Sequence, residues 1–221
     1  MVGRSSRTSQ RGERSREVIL DAAERLMAAR GYAATSISAI CKETGLPATS
    51  IYWHFDSKEG LLAAVMDRGA QRWFAALPRW GDLEGEPADR VEALVTAGAD
   101  AVGDHPGFLR LFYLLVLDSG GDARVSELVR TVRGRAFSYF HDAVEAVLAV
   151  DHGPQIASAA AAELARFAVA AADGFFFALQ LEPGEADIRR LYGQLALAVQ
   201  ALAPAVIADV TAGRESKESK E

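Results

Sequence analysis

The sequence predicts an all-α fold, and three observations carry the prediction. Apolar residues recur at helical spacing along most of the 221 residues, and no stretch alternates with the period of two that a half-buried strand requires. Breaks containing Gly or Pro divide the chain into about nine helices. No internal repeat appears.

The elements follow in order. Residues 1–15 are rich in Arg and Ser and read as a basic, flexible arm able to lie on phosphates or enter a minor groove, with an idle tail or a transit peptide as the other readings. Ile19, Ala22, Ala23, Leu26 and Met27 then hold the stripe of an amphipathic helix ending at Gly31. Thr35 and Ser36 offer hydroxyls to cap the next helix, in which Ile37, Ile40 and Cys41 share a face. Gly45 supplies a residue free to take positive φ, and Pro47 stands where another helix begins. In that helix Ile51 and Phe55 point inward, leaving Ala48, Thr49, Tyr52 and Trp53 outward. Asp56 with Glu59 reads as a capping box, and Lys58 is a cation in a first helical turn, unfavourable unless an anion sits opposite.

The long helix over 57–77 stops at Pro78, and the Gly- and acid-rich loop 80–87 marks a boundary. A stripe through Val91, Leu94, Val95, Gly98, Ala101 and Val102 gives the next helix, broken at His105-Pro106-Gly107. PGFLRLFYLLVLD is almost wholly apolar, hence a central helix, and Ser119-Gly120-Gly121 breaks it. Helices follow over 123–149, 155–181 and 185–202, the last broken at Pro204. The charged tail 211–221 is expected to be disordered.

The stretch SISAICKETGLPATSIYWHF at 36–55 is a short helix, a Gly turn and a second short helix. That is the layout in which the second helix enters a DNA major groove, although a plain αα-hairpin has the same outline. The flanks decide. REVILDAAERLMAARGYAATSISAICKETGLPATSIYWHFDSKEGLLAAV resembles the N-terminal DNA-binding domain of TetR-family (TetR/AcrR-like) transcriptional regulators over 16–73. The resemblance implies that Tyr52, His54 and Lys58 contact phosphates, as would Thr35 or Ser36. Ala48, Thr49 and Ser50 would lie nearest the base edges, with Trp53 on the same surface. Two departures stand out. Pro47 replaces a customary Ser and loses its cap, while Thr49 replaces a frequent Gly. No Lys or Arg stands among these base-facing positions, so bidentate readout of guanine is unavailable to this helix. Hydroxyls, thymine-methyl contacts and DNA shape would have to carry specificity.

A net charge of −6 fits a DNA binder only once it is divided. Residues 1–60 hold nine Lys and Arg against seven Asp and Glu, and the remainder is acidic. One Cys precludes an intramolecular disulfide and suits a reducing, cytoplasmic setting; no export or membrane segment is indicated. No catalytic constellation, cofactor motif or metal-ligand spacing appears, and His141 and Asp142, as sequence neighbours on a helix, are expected to point apart.

Residues 74–210 read as a helical regulatory domain. The Ala-rich helix over 155–181 and the last helix are candidates for a four-helix homodimer seam, unless the alanines merely pack within one subunit. Trp73, Phe108, Phe112, Tyr113, Phe137, Tyr139, His141 and Phe176 are candidates for an effector site, with Arg110 as a further polar handle; an aromatic core is the alternative. The expected function is a homodimeric regulator, more specifically a repressor, that binds a palindromic operator in double-stranded DNA and is released by a small, mostly apolar effector. An architectural DNA-binding protein, or an all-α enzyme or carrier, are the alternatives.

Overall fold

Each helix starts and stops where local chemistry requires. The computed structural model describes residues 3–118 and 123–218, and among these there are nine α-helices and no strand. They are α1 Gly3–Arg30, α2 Ile37–Thr44, α3 Ala48–Phe55, α4 Lys58–Ala75, α5 Pro87–Asp104, α6 Pro106–Asp118, α7 Ala123–Leu148, α8 Pro154–Leu181 and α9 Ile188–Glu218. The expected break at 119–121 and the last three residues lie outside the described residues.

The helices sort into two compact units. The first comprises residues 1–74 and 105–130. Here α1 packs on α2, α3 and α6, and α2 packs on α3. Its core is drawn from Ile19, Leu20, Ala23 and Met27 of α1, Ile40 of α2, and Ile51 and Phe55 of α3. Leu61, Leu62, Val65 and Met66 of α4 and Phe108, Leu111 and Phe112 of α6 complete it. A Cβ on Gly69 would fall 2.4 Å from the Phe108 ring, so the missing side chain lets α4 and α6 approach closely. With the packing of α6 on α1, α6 and the first turns of α7 fall in this unit, beyond the expected boundary at 73/74.

Arg68 of α4 fastens this unit. Its guanidinium lies 2.9 Å from Glu17, 2.8 Å from Asp21 and 2.9 Å from Glu24, carboxylates spaced along one face of α1. The Arg68 side chain is only 10% exposed, so these are hydrogen bonds to a nearly buried charge, each stronger than an exposed surface pair.

The second unit comprises residues 75–104 and 131–221, with α8 and α5 both packed on α9. Ala157, Ala160, Ala161, Leu164, Ala165 and Ala168 of α8 are buried within the single chain, as are Tyr192 and Leu195 of α9. Small side chains on α8 therefore serve intrachain packing at these positions, including Ala161 and Ala168. The Phe175–Phe177 run divides as its 100° steps require: Phe176 is buried, Phe175 is half-buried beside Tyr192, and Phe177 is 40% exposed.

Three terminal expectations are corrected. Residues 3–15, expected as a flexible arm, are helical and continuous with α1; Ser15 bonds back to the Arg11 carbonyl within it. Pro204 does not end α9, which runs on to Glu218. One lost backbone hydrogen bond is outweighed there by Ala-rich flanks of high helix propensity. Residues 211–218, expected to be disordered, are the helix's last turns, in which Thr211 bonds to Ile207 and Arg214 to Gln155.

Candidate nucleic-acid interface

The turn between α2 and α3 is built by residues that suit its geometry. Ser36 caps α2, its hydroxyl accepting the Ala39 N–H at 3.1 Å. Gly45 ends α2 at φ 70°, where a side chain would be strained. Thr44 then accepts the Leu46 N–H at 3.2 Å and tightens the turn. Pro47 stands at the N-cap of α3 with no side-chain cap, as the departure from Ser implies.

On α3 the inward and outward sets separate as the spacing predicts. Ile51 is fully buried and Phe55 nearly so. Tyr52 is 48% exposed and Trp53 76% exposed, so Trp53 is not a core residue. Thr49 is exposed, while Ala48 and Ser50 are half-buried at the start of the helix. His54 stacks edge-on to Trp53, with ring centroids 4.5 Å apart. Desolvation, and secondarily the Arg16 charge, hold the His54 imidazole below its ordinary pKa.

The junction from α3 to α4 departs from the expected capping box. Asp56 takes φ 61° and closes α3, its N–H bonding to the Tyr52 carbonyl. Ser57 is the residue that caps α4, accepting the Gly60 N–H at 3.0 Å. Glu59 instead accepts from its own N–H and the Ser57 hydroxyl, which lower its pKa, and from the Tyr32 hydroxyl at 3.3 Å. A Cβ on Gly60 would lie 2.1 Å from the Phe55 carbonyl oxygen, so only glycine lets α4 start this close to α3.

Lys58 is half-buried, donating to the Ala33 carbonyl at 3.3 Å with its ammonium 4.3 Å from the Tyr32 ring centroid. A carbonyl and a ring face thus supply the negative potential that the sequence left to an external anion. Thr35 is corrected outright as a phosphate contact. It is 1% exposed, and its hydroxyl donates to the Gly31 carbonyl at 2.9 Å.

The residues expected around an effector divide between the two units. Trp73, Phe108, Phe112 and Tyr113 lie in the first unit, and Phe137, Tyr139, His141 and Phe176 in the second. Phe108, Phe112 and Phe176 are core residues, at most 5% exposed. An open cleft of about 590 Å³ on α5 is lined by Asp89, Glu92, Thr96, Asp100 and Asp104 with alanines, and a cavity of about 130 Å³ by Tyr32, Glu59, Leu62, Arg124 and Leu128 among others. Neither takes in any of the eight.

His141 and Asp142 do not point apart. The ring turns along α7, placing Nδ1 3.4 Å from Asp142 and 3.8 Å from Glu145, with Nε2 3.4 Å from Ser158. Sequence spacing missed Arg68, although three acids at i, i+4 and i+7 of α1 were the available signal.

The comparisons agree with this geometry. Residues 19–65 match the family described as bacterial regulatory proteins, tetR family. An uncharacterised HTH-type transcriptional regulator of Mycobacterium tuberculosis is 31% identical over 123 residues, 55% of this chain and 60% of its own length. The HTH-type transcriptional repressor ComR of Escherichia coli is 42% identical over 60 residues, 27% of this chain and 29% of its own. The chain thus spans 60% and 29% of the length of these two relatives. Across the fold, a Saccharomonospora viridis protein crystallised in complex with choline aligns at TM-score 0.68 and 20% identity, covering 85% of this chain and 96% of that one. Residues 19–65 thus carry the helix-turn-helix signature of the tetR family of bacterial regulatory proteins.

Proposed function

We propose that the chain is a homodimeric repressor that recognises a two-fold symmetric DNA site through α3 and leaves it when a small molecule binds the second unit. The observation that carries the DNA-reading part is the face of α3, where Thr49 and Tyr52 are exposed beside half-buried Ala48 and Ser50 while Ile51 and Phe55 are locked into the core. On this reading Ala48, Thr49 and Ser50 meet base edges, while Ser36, Tyr52, His54 and Lys58 meet phosphates. Occupying a promoter excludes the transcription machinery, and a relative that matches this domain is named a repressor.

Dimerisation is supported by the apolar residues that α8 and α9 leave uncovered: Phe167, Phe177, Leu181, Leu197 and Leu202. Both helices are long and apolar enough to cross a membrane by length and composition. Glu163, Arg166 and Asp173 interrupt α8, which packs on α9, so a partner copy in the cytoplasm is the better-supported cover. Such a protein is a regulator and not an enzyme.

Release by an effector is supported by Tyr139, whose buried hydroxyl has no hydrogen-bond partner among the described residues. Burial pushes its pKa up, so the phenol keeps its proton and can donate to a ligand acceptor. Phe140 lies edge-on to it, which suits a mostly apolar molecule bearing one acceptor. A structural neighbour of the same fold holds choline.

The test is a ligand screen by thermal shift, followed by operator affinity with each hit. A binder should raise the melting temperature and weaken operator binding, and Tyr139→Phe should blunt both. Binders that never change operator affinity would remove the effector from this account.

A further inference from the structure

The N-terminal part of α1 runs beside α3. Trp53, mostly exposed on α3, has its indole 4.0 Å from where a Cβ on Gly12 would stand. Four residues on, the Arg16 guanidinium lies 5.5 Å from the centroid of the Phe55 ring. Two rings of α3 therefore flank one side of α1, at positions 12 and 16, one helical turn apart.

The arginines occupy another side. Arg11 and Arg14, three residues apart, share one helical face. At about 100° per residue that face lies roughly 120° around α1 from Gly12. Arg11 and Arg14 are exposed and make no ion pair among the described residues. Two like charges at this spacing repel one another along a helix, and an anionic surface removes that repulsion. Residues 1–60 also hold the chain's basic excess, the remainder being acidic.

We propose that the N-terminal turns of α1, braced on Trp53, form a second DNA-backbone site, with Arg11 and Arg14 contacting phosphates beyond the bases that α3 meets. The inference rests on the reading of α3 as the helix that enters DNA. Trp53 is then a positioning residue for α1 rather than a reader of bases. Because the element is helical, its phosphate contacts lie at fixed places outside each half-site.

The experiment compares the full chain with an Arg11→Gln/Arg14→Gln variant. Glutamine keeps helix propensity and removes charge, and circular dichroism with thermal melting checks that the fold is retained. Affinity for the selected site is measured between 50 and 200 mM salt on a duplex with long flanks and on one trimmed to the half-sites. On the long duplex the variant's salt slope should fall by about 2, about 0.9 per phosphate contact, or roughly a tenfold difference in affinity change across that range. On the trimmed duplex the two proteins should behave alike, and base preference should be the same.

Trp53→Ala should erase protection of the flanks in a hydroxyl-radical footprint, and Trp53→Phe should restore it. An unchanged slope on the long duplex would overturn the proposal, as would a Trp53→Ala variant with altered base preference and intact flank protection. So would a double variant that loses binding only to anionic phospholipid vesicles, which would make the helix a membrane contact. Failure of the unmodified chain to bind any duplex at low salt would instead bring down the reading of α3 itself.

Discussion

His54 shows how one residue joins fold and charge. Partial desolvation and the nearby Arg16 charge favour its neutral form, so its pKa lies below the ordinary 6.5. The sign follows from linkage. As pH falls through 6.5 the unfolded chain takes up the proton first, so stability is lost between that value and the lower native pKa, and is unaffected above it. With the proposed phosphate contact the local balance would reverse and favour imidazolium, so DNA binding should take up a proton and tighten as pH falls through the same window. Titration of the His54 ring by NMR should show a midpoint below 6.5 that rises in Arg16→Ala. A midpoint that Arg16→Ala leaves in place would remove Arg16 as a cause.

The same scale shows what a single residue conceals in sequence. A hydroxyl at 35 looks identical whether it caps a helix, meets a phosphate or, as here, bonds to the Gly31 carbonyl. Phe108 and Phe112 sit on a helix so apolar that no polar face indicates which side is lining and which is core. Both are core, and truncating Phe112 would cost about 3–5 kcal/mol, far more than a ligand contact.

At the scale of elements, the close passage of α4 beneath the end of α3 is the most demanding feature. Alanine normally stabilises a helix over glycine by about 1 kcal/mol, so the sign of a substitution reports the packing. Gly134→Ala on α7, where nothing lies within 4 Å, should raise the melting temperature. Gly60→Ala should lower it, by about 1–3 kcal/mol of stability, because its Cβ meets the Phe55 carbonyl, which cannot move without moving α3. If Gly60→Ala were stabilising, the junction would be looser than described. Helix caps were only half legible: Gly45 and Ser36 were readable as a turn and a cap, whereas Asp56 and Ser57 exchanged roles. Two adjacent polar residues satisfy the same cap pattern, and the backbone decides between them through φ at Asp56.

For the whole molecule, the nine-helix pattern was legible because apolar periodicity survives without tertiary information. The two-unit division was not, since α6 joins the first unit by packing on α1, which is remote from it in sequence. Likewise the alanines of α8 signalled close packing but not its partner. Ala161 and Ala168 are filled by this chain's own packing, so arginine there should unfold the protein rather than divide a dimer. Leu197, 66% exposed, tests the seam cleanly. Leu197→Arg should sediment as a folded monomer at micromolar concentration where the unmodified chain is a dimer. A variant that remains dimeric, together with Phe167→Arg, would move the interface elsewhere.

In the proposed function, α3 reads DNA sequence through a small, largely uncharged surface on a two-fold symmetric assembly. Selection of bound duplexes from a random library, with the unmodified chain and with Thr49→Ala, tests it most directly. The expected result is inverted half-sites spaced by the groove repeat. Thr49→Ala should also change the preferred base at one position in each half-site, by about 1–3 kcal/mol of discrimination. Enrichment of only asymmetric sites, or a base preference that Thr49→Ala and Ser50→Ala both leave untouched, would contradict it.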